Sequence, residues 1–128
     1  MNARDTQRLG TLETRYRTLA AGLARVGFIS RGSVVAGFTT CGKASCRCAS
    51  DPDARHGPYW QWTRAVKGRT VAQRLTPSEA ALYKQWIANQ RALDRIVSRM
   101  QEVSRRASQI LLREESSGPV ALPKVKRQ

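Results

Sequence analysis

Apolar residues recur early in the chain at Leu9, Leu12, Tyr16, Leu19, Leu23 and Val26, at alternating intervals of three and four. This is the stripe of a helix that packs through a narrow seam, and Gly27 supplies its expected stop. Over residues 28–40 the pattern turns β-like, with Val34, Val35 and Phe38 set among glycines at 32 and 37. Residues 59–64 and 70–75 are further strand-compatible runs. Between them lies Val66-Lys67-Gly68-Arg69, whose Lys67-Gly68 pair suits the positive φ angles of a tight hairpin. Thr76-Pro77-Ser78-Glu79 then carries three helix-start signals: Thr at the N-cap, Pro at the first helical position and Glu placed to close a capping box.

The helix that follows keeps a four-three alternation through Leu82, Trp86, Asn89, Leu93, Ile96, Met100, Val103, Ala107 and Ile110, until Ser116-Ser117-Gly118-Pro119 stops it. At 1.5 Å per residue an element from 77 to 114 spans on the order of 55 Å, more than the first helix can cover. The uncovered seam predicts a homo-oligomer, a dimer in its simplest form, joined through the 82–110 helix. Asn89, the one polar seam residue, either sets its register or faces a polar pocket. The predicted class is therefore α+β. A small antiparallel hairpin or sheet (28–75) is flanked by an amphipathic helix (1–27) and a long heptad-patterned, coiled-coil-like helix (76–115), and a basic disordered tail (116–128) follows.

Charge changes the picture next. Lys and Arg number 23 against 9 Asp and Glu, a formal +14 over 128 residues, and the excess runs along the whole chain. Such a chain repels itself unless a polyanion balances it, and nucleic acid is the commonest one. No run approaches the roughly 20 apolar residues of a membrane span, nor does the N-terminus read as a signal peptide, so the expected location is the cytoplasm, nucleoid association included.

The three cysteines and the single histidine fall in one segment, Cys41, Cys46, Cys48 and His56, spaced C-x4-C-x-C-x7-H. Three thiolates and an imidazole are what a closed tetrahedral zinc site takes, so Zn2+ is the expected cofactor. An odd number of clustered cysteines in a reducing compartment argues against a disulfide framework. An iron–sulfur cluster with one His ligand, a redox-active thiol cluster and cysteines that merely pack are the competing readings. Lys43, Arg47 and Arg55 are placed to offset the negative charge of three thiolates. In the following strand Trp60 and Trp62 share one face and Tyr59, Gln61 and Thr63 the other. One face is expected to pack on the metal loop or a helix. The other, with Arg64, Lys67, Arg69 and Arg74 nearby, is expected to meet phosphates or bases, which makes Lys43, Arg47, Arg55, Tyr59, Arg64, Lys67, Arg69 and Arg74 the candidate nucleic-acid contacts.

The run CGKASCRC, followed by HGPYWQW, a Lys-Gly hairpin, TPSEA and the Trp86-Ile87 pair, resembles an uncharacterised family of short bacterial and phage proteins over about residues 28–100. Only Cys41, Cys46, Cys48, His56 and Gly57-Pro58-Tyr59 carry over as motif positions. The phage and mobile-element setting of that family implies work on DNA beside a transposase or recombinase. The leading expectation is thus a zinc-containing nucleic-acid-binding accessory or regulatory protein, with DNA favoured over RNA. The alternative is an adaptor that modulates a recombinase or transposase through its helical seam. Catalysis is not expected: the acids are few and scattered, and neither a phosphate loop nor a Ser-His-Asp set is present.

Overall fold

The computed structural model describes residues 1–116; the basic tail expected from residue 116 onward otherwise lies outside them. The element order is α1 (Ala3–Leu23), β1 (Ser33–Thr39), two single-turn 3-10 helices (Arg47–Ala49 and Pro52–Ala54), β2 (His56–Val66), β3 (Arg69–Leu75) and α2 (Pro77–Ser116). This is the α+β arrangement expected: a three-stranded antiparallel sheet with β2 in the centre, between an N-terminal helix and a long C-terminal one. The described residues form two compact units, a β unit of Val26–Ala92 and a helical unit made of Met1–Arg25 and the described residues from Leu93 onward.

In the β unit, β2 pairs with β3 from Trp60 opposite Leu75 to Val66 opposite Arg69, and Lys67 (φ 50°) and Gly68 (φ 79°) make the turn. Both turn residues need positive φ, which Gly68 supplies at no steric cost. Thr76 caps α2 as expected. Its hydroxyl accepts from the Glu79 amide at 3.2 Å, and the Glu79 carboxylate accepts from the Thr76 amide at 2.9 Å. Those bonds also hold the Glu79 carboxyl below its ordinary value, the Thr76 backbone amide first among the causes.

The first turns of α2 lie on the sheet face that carries the tryptophans. Trp62 stacks on Tyr83 with ring centroids 4.4 Å apart, and Tyr83 meets Trp86 edge-on at 5.0 Å. The Trp62 indole N–H donates to the Arg31 carbonyl at 2.8 Å, so its polar atom is satisfied as its ring is covered. Here the buried positions of α2 are Ala80, Ile87 and Gln90, whereas Leu82 of the heptad stripe is 47% exposed. A helix lying on a sheet presents a broader face than a helix in a coiled-coil seam, so the buried set is rotated off the heptad positions. Asn89 bonds within this unit, where its side-chain amide donates to the Phe28 carbonyl at 2.8 Å. A Cβ on Gly27 would stand 2.9 Å from that amide nitrogen. Gly27 therefore makes room for Asn89, and it does not end the helix, which stops earlier, at Leu23.

The helical unit pairs α1 with the later part of α2. Leu12, Val103 and Ile110 form its buried core, flanked by Tyr16, Leu19 and Ala107. The heptad stripe holds here, and the helices run antiparallel, since the N-terminal ammonium meets the Glu114 carboxylate at 2.8 Å. Asn2 caps α1 by accepting from the Asp5 amide at 2.8 Å. Because so few side chains are fully covered, each one matters. Replacing Ile110 (2% exposed) with Ala should lower unfolding free energy by about 2–4 kcal/mol, while the same change at Leu112 (66% exposed) should cost well under about 1 kcal/mol. Urea melts of the two variants followed by circular dichroism check the contrast.

Candidate metal centre

The segment joining β1 to β2 contains only the two 3-10 turns, so it has little apolar surface with which to hold itself together. Its ends are close because β1 and β2 pair, with Thr39 opposite His56. Cys41 follows β1, Cys46 and Cys48 frame the start of the first 3-10 turn, and His56 opens β2. The fold thus brings all four predicted ligands to one point, at the beginning, middle and end of the loop.

Their ligand atoms all lie within 4.8 Å of one another. Cys41 Sγ is 3.5 Å from Cys48 Sγ, and Cys46 Sγ is 3.4 Å from His56 Nε2. A tetrahedral ion with bonds of about 2.3 Å to sulfur and 2.0 Å to nitrogen sets its ligands about 3.5–3.8 Å apart, so the spacing and the donor set fit one ion held by four protein ligands. All three cysteines are free thiols.

The electrostatics of the cluster point the same way. The Cys46 thiol is pulled below its ordinary value, first by a hydrogen bond from the Cys48 backbone amide and then by the Cys48 and Cys41 thiols. At Cys48 the Cys41 amide, 3.4 Å from its sulfur, acts to lower the value, but burial and the two neighbouring thiols outweigh it and leave Cys48 raised. Three thiolates this close repel one another, and a divalent cation removes the conflict. Asp51 shapes the loop by accepting from the Asp53 amide at 3.0 Å and from Arg47 at 3.1 Å.

Gly57 was legible only as part of the HGPY motif, and the structure gives it a physical role. Its φ is +146°, and a Cβ there would stand 2.7 Å from the Gly37 carbonyl oxygen and 2.9 Å from the Phe38 ring. Only glycine lets β2 pass so close to the β1 irregularity between Gly37 and Thr39, directly beside the His56 ligand.

The predicted nucleic-acid residues separate. Lys43, Arg47 and Arg55 lie exposed on the loop, and among the described residues only Arg47 of the three is ion-paired, with Asp51. Tyr59 and Arg74 share the sheet face turned away from α2, where the Arg74 guanidinium lies 3.9 Å from the Tyr59 ring centroid. Lys67 and Arg69 sit at the hairpin tip. Arg64 departs from expectation. Strand alternation puts it on the tryptophan face, its guanidinium 3.9 Å over the Trp62 ring and its Nη1 buried with no hydrogen-bond partner among the described residues. Strand parity sets its position, which sequence proximity to the hairpin had masked. Lys84, 4.1 Å over the Trp60 ring, is a contact the sequence did not signal.

Titration of metal-free protein with Co2+ should saturate near one equivalent with the visible bands of a tetrahedral, thiolate-rich site. Cys46→Ser should abolish those bands, and Gly57→Ala should weaken binding about tenfold or more by displacing His56. Because the ligands bind deprotonated, affinity should fall as pH is lowered; bands that persist in Cys46→Ser would exclude the four-ligand assignment.

No curated protein and no solved structure matches the chain. A family model described as a domain of unknown function, DUF6788, matches residues 9–85. That stretch takes in most of α1, which the motif resemblance left out, together with the whole sheet and metal loop, and it ends just before Trp86. Since the match covers more than half of the chain and includes all four clustered ligands, this protein belongs to the DUF6788 family.

Proposed function

We propose that the protein is a zinc-containing, non-catalytic nucleic-acid-binding protein that serves an accessory or regulatory role on DNA. The observation that carries the reading is the state of the basic residues around the metal loop and sheet. The β unit holds ten Lys and Arg against three Asp and Glu. Of those acids, Glu79 closes the α2 capping box and Asp51 is engaged by Arg47 and the loop backbone. Lys43, Arg55, Lys67, Arg69 and Arg74 are all exposed and have no carboxylate partner among the described residues. Uncompensated charge held on a rigid sheet suits a phosphate backbone, and the Arg74–Tyr59 stack adds an aromatic surface. The resemblance to phage and mobile-element proteins favours DNA.

Zinc is the ion proposed because one d10 cation satisfies three sulfurs and one nitrogen without a geometric demand of its own. Ligand atoms within 4.8 Å of one another also leave little room for the several iron and sulfide atoms of a cluster. Elemental analysis should return about one zinc per chain and no iron.

A second reading is favoured by one feature of the helical unit. On one flank an apolar groove of about 500 Å3 is floored by Leu9, Leu12, Tyr16, Val103, Ala107 and Leu111. Glu13 and Arg17 stand on its rim without ion-pair partners among the described residues, one turn apart. A two-fold axis between them would set each against the other's counterpart, so a second copy of this chain is the proposed occupant. Among the described residues no helix is long and apolar enough to cross a membrane.

The zinc-loaded chain should bind duplex DNA with an affinity that falls steeply with salt. Lys67→Gln, Arg69→Gln and Arg74→Gln should each lower the slope of log K against log salt by about 0.9, while Arg64→Gln should leave the slope unchanged and lower thermal stability instead. Fluorescence anisotropy over a salt series checks this. Equal slopes in wild type and in a hairpin variant that combines Lys67→Gln, Arg69→Gln and Arg74→Gln would sink the assignment of the β unit as the binding surface.

A further inference from the structure

The helical unit has two unlike flanks. One is the apolar groove just described. The other carries five arginines, Arg8 and Arg15 from α1 and Arg99, Arg106 and Arg113 from α2, among uncharged polar and apolar residues and one acid. Three adjoining depressions lie along it. Arg8, Arg15 and Arg106 converge on one of about 360 Å3, and Arg15, Arg99 and Arg106 on a second of about 390 Å3. Arg8 and Arg113 line the third.

The arrangement follows from the heptads. Arg8 and Arg15 are seven residues apart on α1, and Arg99, Arg106 and Arg113 are seven apart on α2. Each row holds one fixed angle from the buried seam of Leu12, Val103 and Ile110. All five arginines are exposed. Arg8, Arg15 and Arg99 have no carboxylate partner among the described residues. Glu102 is the one acid lining the depressions, and its stronger bond goes to Arg105 at 2.7 Å, with Arg106 at 3.3 Å. Arg113 stands 3.7 Å from Asp5, at the long end of an ion pair.

We propose that this flank is a second polyanion-binding surface, which takes the phosphate backbone of duplex nucleic acid through Arg8, Arg15, Arg99, Arg106 and Arg113. Guanidinium groups bind phosphate bidentately, and five of them segregated to one flank would repel each other without an anion between them. A heptad on a helix advances about 10.5 Å, close to the rise of three base pairs, so both rows stay in step with a regular backbone. No aromatic side chain lines the three depressions, so unstacked bases would find no platform there; this favours a duplex over a single strand. The inference rests on the nucleic-acid reading for the identity of the polyanion, but it uses none of the residues assigned to the β unit.

The test uses the full-length, zinc-loaded protein and a labelled mixed-sequence DNA duplex of about 30 base pairs. Replacing Arg8, Arg15 and Arg106 together with Gln should lower the salt slope by about 2–3, since each lost phosphate contact removes about 0.9. The same three positions changed to Lys should keep the slope, which separates loss of charge from loss of fold, and circular dichroism should show equal helix content in both. A wild-type slope in the Gln variant overturns the proposal. A reduced slope there, beside an unchanged one in the hairpin variant, supports the arginine flank and removes the β-unit reading instead. If polyglutamate of matched charge competes as well as duplex DNA does, the surface serves an acidic protein and the proposal fails.

Discussion

The β1–β2 connection is the constraint on which the β unit turns, because it is a long segment with almost no apolar content and it must still deliver its last residue into the central strand. Backbone order over such a loop costs on the order of 1–2 kcal/mol per residue, and the two 3-10 turns and the Asp51 bonds offset little of that. Cys41, Cys46, Cys48 and His56 come to one point, and an ion held there would replace the missing core with four coordinate bonds. His56 belongs both to this cluster and to β2, whose pairing with β1 runs to Thr39 opposite His56, so an ion bound there would tie the loop to that end of the sheet.

From that register the aromatic face is assembled. Parity along β2 sends Trp60, Trp62 and Arg64 to the side covered by α2 and Tyr59 to the other side, where Arg74 lies over it. The cations stacked on rings are thus products of strand alternation. They bury aromatic surface that a small sheet cannot otherwise cover, while the charged ends of Arg74 and Lys84 remain near solvent. The Trp62–Tyr83–Trp86 stack and the bond from Asn89 to Phe28 then anchor the first turns of α2.

Charge is distributed by the same logic in both units. Several of the few carboxylates are used locally: Glu102 is held by Arg105 and Arg106, and its carboxyl is lowered to about 2, chiefly by the Arg105 hydrogen bond. Exposed arginines and lysines stand on the hairpin, on the loop that carries the cysteines and on both flanks of the helical pair, five of them along one flank. The caps and local pairs thus leave most of the formal charge of +14 without an internal counter-charge.

By itself the sequence determined the elements and the Cys and His residues that cluster. Heptad spacing announced α1 and α2, Lys67-Gly68 announced the hairpin, and the capping box at Thr76 set the start of α2, because each is a local rule of backbone geometry. Cys41, Cys46, Cys48 and His56 were legible as a candidate set because all three cysteines and the single histidine of the chain fall in one short segment. Only the tertiary structure decided the facing of side chains. Arg64 lies near the hairpin in sequence yet stacks on Trp62, and Leu82 belongs to the heptad stripe yet is exposed, because a sheet and not a second helix covers that part of α2. Gly57 is needed where a neighbouring strand's carbonyl comes too near for any Cβ. The arginine flank was written at heptad spacing but acquired meaning only when α1 and α2 set their two rows side by side. Local pattern fixes what an element is, whereas which of its faces is covered depends on the partner that packs against it.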